Sequence, residues 1–434
     1  MQVSKLIHHS PLGKSDHNVI TFNFNCYLNF SKAKEKFSYD KGDFESMKRD
    51  LTDTGWSEQF VATVPQKDTN ELWNDLKLKL HSLRDKYVPI KTLCNNQNRI
   101  PINSDLRNAI RKKHSAHRRW MATRDRRDAE QKRIEYSKSR NKVSKLMRQA
   151  KRRFEKDLAK NCKINPKAFW SHVRRKLKTR SGVAPLLQDI RDETSMKFLD
   201  VEKAEILQHQ FSSVFTKEPE GEIPRLKQRF PVFVNDFDIT EEMVKSEIEK
   251  MDINKCCGPD KIHPRLVKEL VDYISEPIAL MLNKSMKEGK VPGDWKMASV
   301  SPIFKKGSKH IAENYRPISL TSIICKLMET FIKKIIMKHL EDLNLLSSKQ
   351  FGFINGRSTT LQLLVYLEKC IETVASGGVV DSIYMDFAKA FDKVPHRRLI
   401  GKLESYGING NISQWIKEYL RDRTQVYHMI LTFQ

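Results

Sequence analysis

The stretch VVDSIYMDFAKAFDKVPH, residues 379–396, decides how the chain is interpreted. From Ser382 to Phe387 polar and apolar residues alternate, which predicts a strand with Asp386 on its polar face and Asp392 in the turn that follows. A carboxylate at a strand end can bind a divalent cation such as Mg²⁺ together with substrate phosphates. The segment alone leaves two interpretations open, a metal ligand or a solvated acid at a loop entrance, and it favours the second because strand ends are commonly polar.

Length and composition narrow the class of protein. The chain has 434 residues, a hydrophobic content of 39% and a mean hydropathy of −0.58, enough for two or three domains with a sizeable core. It contains no apolar run long enough to span a membrane, and its N-terminus lacks an apolar signal core, so an intracellular protein without membrane contact is expected. The seven cysteines form no CxxC or Cys/His cluster, which indicates reduced thiols rather than zinc or a disulfide framework.

Positive charge is concentrated in one part of the chain. The net charge is +26, and residues 101–180 contain 28 lysines and arginines against 7 acidic residues. A phosphate backbone suits such a concentration, because its neutralisation releases condensed counterions. An anionic membrane surface or plain solvation is the alternative, and few large apolar residues are present for membrane insertion.

Residues 105–160 of this basic region are predicted to form one or two long helices. An apolar stripe from Val143 to Leu158 lies at helical spacing, with lysine and arginine on the other faces. Trp120, Tyr136 and Trp170 are interleaved with the charge, as on surfaces that stack nucleic-acid bases. Aromatic residues on a helix stripe are more often core, so no base-stacking residue is assigned.

A short polar run near the N-terminus precedes an alternating segment. Ser15, Asp16 and His17 are followed by residues 19–24, which predict one strand with no upstream partner. An acid and an imidazole at the mouth of a strand suit a metal ligand and a general base. An ordinary polar turn explains the same residues equally well.

The pattern is denser after residue 240. Residues 297–304 and 315–320 predict two strands joined by a basic hairpin tip, which brings Lys305, Lys306 and Arg316 together. Three cations beside a metal-binding carboxylate are what a triphosphate requires. Upstream, apolar residues recur every four positions from Leu266 to Leu282, and Pro277 is expected to split them into two helices, the second ending at Gly289. Residues 359–375 predict a further helix that leads to the Asp386 segment.

Five motifs occur in order between residues 258 and 396: GPD (258–260), SPIFKKG (301–307), NYRPISL (314–320), QFGF with GRST (350–359) and MDFAKAFDKVPH (385–396). In wording, order and spacing they resemble the reverse transcriptase of non-LTR retrotransposons, and most of all the jockey-like group. Upstream, LGKSDHNVI (12–20) resembles the last segment of the endonuclease of such elements. The motif NPKAFW (165–170), with KTRSGV (178–183), resembles their intervening region.

The resemblance implies a role for each matching residue. Asp386 matches a metal-binding aspartate of the polymerase palm, which helps to hold two Mg²⁺ ions, and Phe391 matches the residue that rejects a ribose 2′-hydroxyl. Asp392 matches a supporting acid, and Asp16 and His17 match the terminal catalytic pair of the endonuclease. The other matches contact the incoming dNTP (Lys305, Lys306, Arg316) or lie near the template and nucleotide pocket (Gln350, Gly352, Arg357). RNA template, DNA primer or target, and dNTP are the implied partners.

Two departures from the family pattern carry consequences. Cys256 and Cys257 stand where small residues are usual, and Lys261 stands where Gly is usual, which alters the first turn without removing chemistry. The second catalytic motif of the family, an apolar residue followed by Ala-Asp-Asp, does not occur in this sequence. Because two metal ions need carboxylates from both motifs, we expect the polypeptide alone to be inactive as a polymerase. A non-catalytic RNA- or DNA-binding remnant is the alternative.

The fold expected from these observations is α+β and helix-rich, with a long basic helical region followed by reverse-transcriptase fingers and an incomplete palm. By resemblance, the protein is expected in the nucleus and cytoplasm. The expected segments are an endonuclease strand (1–29), a mostly helical linker (30–100), a basic nucleic-acid-binding region (101–180), a connector (181–237), the fingers with entry to the palm (238–378) and a partial palm (379–434).

Overall fold

The structure of the chain is a computed structural model. It describes residues 3–9, 19–24, 35–92, 102–123, 128–177, 183–218, 221–222 and 232–427. The strands are β1 Val3–His9, β2 Val19–Phe24, β3 Glu35–Phe37, β4 Ile90–Thr92, β5 Leu186–Leu187, β6 Met196–Lys197, β7 Met297–Phe304, β8 Tyr315–Leu320 and β9 Thr424–Tyr427.

Helices make up most of the described chain, which divides into two compact units. The α+β, helix-rich class is therefore confirmed. None of the helices in the described ranges is long and apolar enough to cross a bilayer. The helices are α1 Phe44–Asp53, α2 Trp56–Thr63, α3 Thr69–Tyr87, α4 Ser104–Ala122, α5 Ala129–Lys160, α6 Pro166–Lys176, α7 Asp200–Ser212, α8 Glu241–Glu249, α9 Pro264–Glu269, α10 Val271–Glu288, α11 Gly293–Lys296, α12 Ile323–Asp342, α13 Thr359–Ala375, α14 His396–Ser405 and α15 Gly410–Leu420.

The first unit comprises residues 1–37 and 90–180. Its helices α4 and α5 pack against each other as a helical hairpin. Asn103 caps the start of α4 by accepting from Leu106 N. The expectation that the strand at residues 19–24 has no upstream partner is wrong. β1 pairs with it antiparallel, although the apolar residues of β1 do not alternate.

The second unit comprises residues 38–89 and 181–434. Its central helix is α10, which contacts α2, α3, α8 and α15. Helix α3 begins with a capping box in which Asp68 and Glu71 satisfy each other's backbone N–H groups. The leucines at positions 72, 76, 80 and 83 lie on one face of α3 and are all buried, which fixes the face that α3 turns toward the core.

Pro277 does not split its helix, contrary to the expectation. It lies inside the continuous helix α10, and the break comes earlier, between α9 and α10 at Leu270. Proline removes one backbone donor from a helix, and here the surrounding apolar packing outweighs that loss, since Pro277 and its neighbour Ile278 are buried. The helix ends as expected at Gly289, whose φ of +60° provides a left-handed cap.

Candidate functional site

The three predicted triphosphate-binding cations lie on one β-hairpin. Strands β7 and β8 pair antiparallel with Ile303 opposite Arg316, and Lys305 N donates to Asn314 O at 2.8 Å. Since side chains alternate across a strand, Ile303, Lys305 and Arg316 share one face. Lys305, Lys306 and Arg316 are exposed, and within the described ranges none of them forms an ion pair. The hairpin therefore presents unneutralised positive charge to solvent.

The opposite face of this hairpin is covered by the segment that the sequence suggested was only a connector. Val300 and Tyr315 are buried there against Leu186 of β5 and Leu207 and Phe211 of α7. His310, in the hairpin tip, binds the Pro185 carbonyl at 2.8 Å through Nδ1. Residues 183–212 thus fix which face of the hairpin points outward, and that face carries the cations.

The GPD turn is a tight contact rather than a ligand site. A Cβ on Gly258 would lie 2.5 Å from the Thr321 carbonyl oxygen, which explains why glycine stands there. Asp260 is buried, accepts from Ile262 N at 3.2 Å, and burial raises its pKa. The turn therefore anchors the start of α12, which Ser322 caps by accepting from Cys325 N.

Lys261 occupies a strained backbone position in this turn. Its φ is +58°, in the left-handed region that favours glycine. We expect Lys261→Gly to raise the free energy of unfolding by about 0.5–1 kcal/mol, because relief of the strain exceeds the entropic cost of glycine. Urea denaturation measures the change.

The matched control is Lys333→Gly, at an exposed position inside α12. There glycine relieves nothing and is expected to cost about 1 kcal/mol. A Lys261→Gly variant destabilised as much as Lys333→Gly would contradict the strain argument.

The motif at residues 350–357 forms a compact loop held by its arginine. Arg357 Nη1 donates to the carbonyls of Ser348, at 2.8 Å, and of Gln350, and its guanidinium lies over the Phe351 ring. Gln350 Nε2 donates to the Gly352 carbonyl at 3.2 Å. Arg357 therefore shapes this loop, while its predicted place near a nucleotide pocket stays a prediction.

The strand predicted over Asp386 does not form. Residues 379–387 have no strand pairing, and Asp386 is exposed without a hydrogen bond or ion pair among the described residues. A strand needs a neighbour to satisfy its backbone groups, and none of the described strands lies beside this segment. The prediction of a strand is therefore wrong, because alternation carries no information about a partner strand.

Aromatic and hydroxyl contacts hold this segment along α13 and the 350–357 loop. Phe391 meets Phe353 edge to face, with ring centroids 5.8 Å apart. Tyr366 of α13 forms a hydrogen bond with Ser382, and Tyr384 OH donates to Tyr366 OH at 3.3 Å. The structure thus brings together the motifs at 350–357 and 385–396. Within the described ranges, no hydrogen bond, ion pair or ring contact joins either motif to Lys305, Lys306 or Arg316.

The side chains around Asp386 decide whether it can take part in a metal site. No group of three or more His, Cys, Asp or Glu side chains that could hold a metal ion occurs in the part of the chain that the structure describes. A two-metal site needs several converging carboxylates. The described residues therefore do not fit a two-ion site by themselves. The predicted endonuclease pair, Asp16 and His17, lies outside the described residues.

A wide apolar surface surrounds Asp386. Helix α13 buries none of its residues, and the segment beside it exposes Met385 and Phe387 by 92% and 86%. Soluble monomers seldom expose contiguous apolar patches of this kind, so the surface has the character of a contact face. Further exposed apolar residues of this face are Leu361, Leu363, Leu364, Val365, Leu367, Ile371, Val374, Val379 and Ile383.

Residues 38–89, to which the sequence assigned no role, pack against the elements before the hairpin. Trp73 Nε1 donates to Asp294 at 3.0 Å, and the Trp73 ring meets Trp295 edge to face. His81 Nε2 binds the Asp260 carbonyl at 2.8 Å. The buried leucines of α3 gave the signal for a helix, but no local pattern indicated which elements it would contact.

One part of the chain matches a known protein family. Residues 303–432 match the family model described as reverse transcriptase (RNA-dependent DNA polymerase). This stretch contains the β7–β8 cations Lys305, Lys306 and Arg316, the 350–357 loop and Asp386. This part of the chain is therefore similar to reverse transcriptases.

The similar curated proteins are polymerases of transposable elements. The chain is 30% identical over 190 residues to the probable RNA-directed DNA polymerase from transposon BS of Drosophila melanogaster, covering 42% of this chain and 20% of the relative. It is 28% identical over 187 residues to the RNA-directed DNA polymerase from mobile element jockey of the same species, covering 43% and 20%. To the probable RNA-directed DNA polymerase from transposon X-element it is 31% identical over 154 residues, covering 35% and 17%. The chain spans only about one fifth of the length of these relatives, and the matching part is similar to the RNA-directed DNA polymerases of jockey-like mobile elements.

Proposed function

We propose that this chain supplies the fingers and the first palm carboxylate of an RNA-directed DNA polymerase that adds dNTPs to a primer 3′ hydroxyl. The observation that carries the proposal is the hairpin face with Lys305 and Arg316, which is exposed and unpaired and is backed by a buried core. Cations held on a rigid hairpin suit the triphosphate of an incoming nucleotide. In this proposal Mg²⁺ is the ion that Asp386 would help to hold, and Phe391 would lie beneath the sugar.

We propose further that the chain by itself does not copy RNA, because its described carboxylates do not converge around Asp386. Primer extension on an RNA template with Mg²⁺ and dNTPs is expected to give no incorporation that depends on Asp386. The wild type and Asp386→Ala should be indistinguishable. Incorporation that disappears in Asp386→Ala would overturn this second proposal and support the first.

A second function, RNA binding, is favoured by one face of α5. Lys142, Lys145, Arg148, Arg152 and Lys156 are spaced by three or four residues and are all exposed. This spacing places them on one side of the helix, opposite the apolar stripe from Val143 to Leu158. The row extends over about 21 Å at 1.5 Å per residue. We propose that this cationic face tracks a nucleic-acid backbone.

The salt dependence of RNA affinity tests the cationic face. Each lost phosphate contact lowers the slope of log K against log salt by about 0.7 for a single strand. A triple variant with Gln at positions 145, 148 and 152 is therefore expected to lose about 2 from the slope. Fluorescence anisotropy with a labelled single-stranded RNA measures it.

The control variant replaces three exposed lysines of α12, Lys326, Lys333 and Lys338, with Gln. It removes the same charge from the other unit, so its slope should stay close to that of the wild type. Equal losses in both variants would assign the effect to net charge rather than to α5.

The proposed partners are an RNA template, a DNA primer or target, and dNTP. We propose that the protein acts in the nucleus and cytoplasm, where these partners occur. An epitope-tagged chain found only at membranes would contradict this location.

A further inference from the structure

The three aromatic residues of the basic region, Trp120, Tyr136 and Trp170, differ in their exposure to solvent. Tyr136 is buried at 4% exposure and stacks on Trp120, with centroids 5.5 Å apart and an angle of 14°. Trp170, in contrast, is 57% exposed. The first two therefore belong to the α4–α5 hairpin core, and only Trp170 of the three offers a free ring.

Trp170 points outward because the opposite side of α6 is docked on α5. His172 meets Phe154 edge to face at 5.6 Å and lies 3.6 Å from Glu155, which also pairs with Lys176 at 3.3 Å. Two residues along a helix correspond to about 200° of rotation, so docking through His172 turns Trp170 away. Phe169 meets the Trp170 ring edge to face at 5.4 Å, with an angle of 81°. That contact orients the ring without covering it.

The sequence around Trp170 is basic. The sequence has Lys one turn before it, at 167, and Arg one turn after it, at 174. Glu155, the acid that pairs with His172 of α6, also forms an ion pair with Lys176. An exposed aromatic ring within basic sequence suits a single-stranded nucleic acid, since cations hold the backbone while a base stacks on the ring.

We propose that Trp170 is a base-stacking platform for single-stranded RNA, which rests on the proposed RNA binding of the basic region. The ligand class is an unpaired nucleotide base, of any identity, because every base has a π-face. Paired bases in a duplex are not accessible to the ring. The aromatic residue thus adds a preference for single strands to a surface whose charge alone binds either form.

The experiment compares binding of the full chain to an oligouridylate of about 12 nucleotides, to an abasic oligomer of the same length and to a double-stranded RNA. Trp170→Ala is expected to weaken oligouridylate binding about tenfold or more, with an unchanged salt slope. Trp170→Phe should stay within about threefold of the wild type, because the ring is retained. Neither variant should alter binding to the abasic oligomer or the duplex.

The exposed Leu177, at the end of the same basic segment, provides the matched control. Leu177→Ala removes apolar surface without removing a ring and should bind oligouridylate as the wild type does. Unchanged affinity of Trp170→Ala overturns the proposal, and this result is also expected if the ring instead contacts a protein. Equal losses on all three ligands, or a Trp170→Phe variant as weak as Trp170→Ala, overturn it as well. Absence of any RNA binding by the wild type would instead overturn the proposed function of the region.

Discussion

Trp73→Ala is expected to lower the free energy of unfolding of the second unit by about 3–5 kcal/mol, the usual cost of deleting a buried tryptophan. Trp73 is 2% exposed, packs on Trp295 at 5.4 Å and donates to Asp294. The substitution leaves a cavity at the contact between α3 and the elements that precede the hairpin. Urea denaturation gives the stability, and hydrogen exchange shows where protection is lost.

Hydrogen exchange shows whether α3 is stabilised together with α10 or independently of it. Because α3 packs directly on α10, Trp73→Ala should reduce amide protection in α10 as well as in α3. The control, Leu78→Ala, lies on the same helix at 63% exposure and should change stability by no more than about 0.5 kcal/mol. Loss of protection confined to α3 would show that α3 folds independently of α10.

Local sequence signals predicted elements well where the partner follows closely in the chain. The β7–β8 hairpin has the predicted bounds because its strands alternate and a short basic tip joins them. Helix α13 begins and ends as predicted, with Ser358 as its cap accepting from Leu361 N. In both cases the residues that stabilise the element lie within or beside it.

Contacts across long sequence separations were not predictable in the same way. Trp73 and Asp294 are 221 residues apart, and no local pattern in α3 predicts that Trp73 contacts Asp294. At Pro277 the local rule that proline breaks a helix fails, because the residue is buried inside a continuous helix. Intrinsic preferences are weak priors that tertiary packing often overrides.

The candidate site likewise has one part that the local sequence predicts and one part that it does not. Cations of the hairpin could be predicted because their face follows from strand alternation. The environment of Asp386 could not, because alternation assigns a face but not a neighbouring strand. The exposed α13 surface beside it has no local explanation, since its apolar residues recur as in an ordinary buried helix.

A second large effect is expected where the chain before α8 lies beside the α14–α15 turn. Val234 N donates to the Gly407 carbonyl at 2.9 Å, and Asn409 N donates to the Val234 carbonyl at 3.0 Å. These hydrogen bonds form the parallel bridge between Val234 and Ile408. Gly407 has a φ of +88° and lies so close to residue 232 that no side chain fits.

Gly407→Ala is therefore expected to cost about 2–5 kcal/mol, from left-handed strain together with overpacking. The added Cβ would lie 2.3 Å from the Val232 carbonyl oxygen. A backbone atom cannot move away by a change of rotamer, as the end of a side chain can. Thermal and urea denaturation measure the loss, and amide exchange at Val234 should accelerate. The control is Gly401→Ala inside α14, where a Cβ meets nothing within 4 Å, so stability should rise by up to about 1 kcal/mol. If both variants were stabilised, the close approach at Gly407 would not exist in solution, and the segment before α8 would be free of the α14–α15 turn.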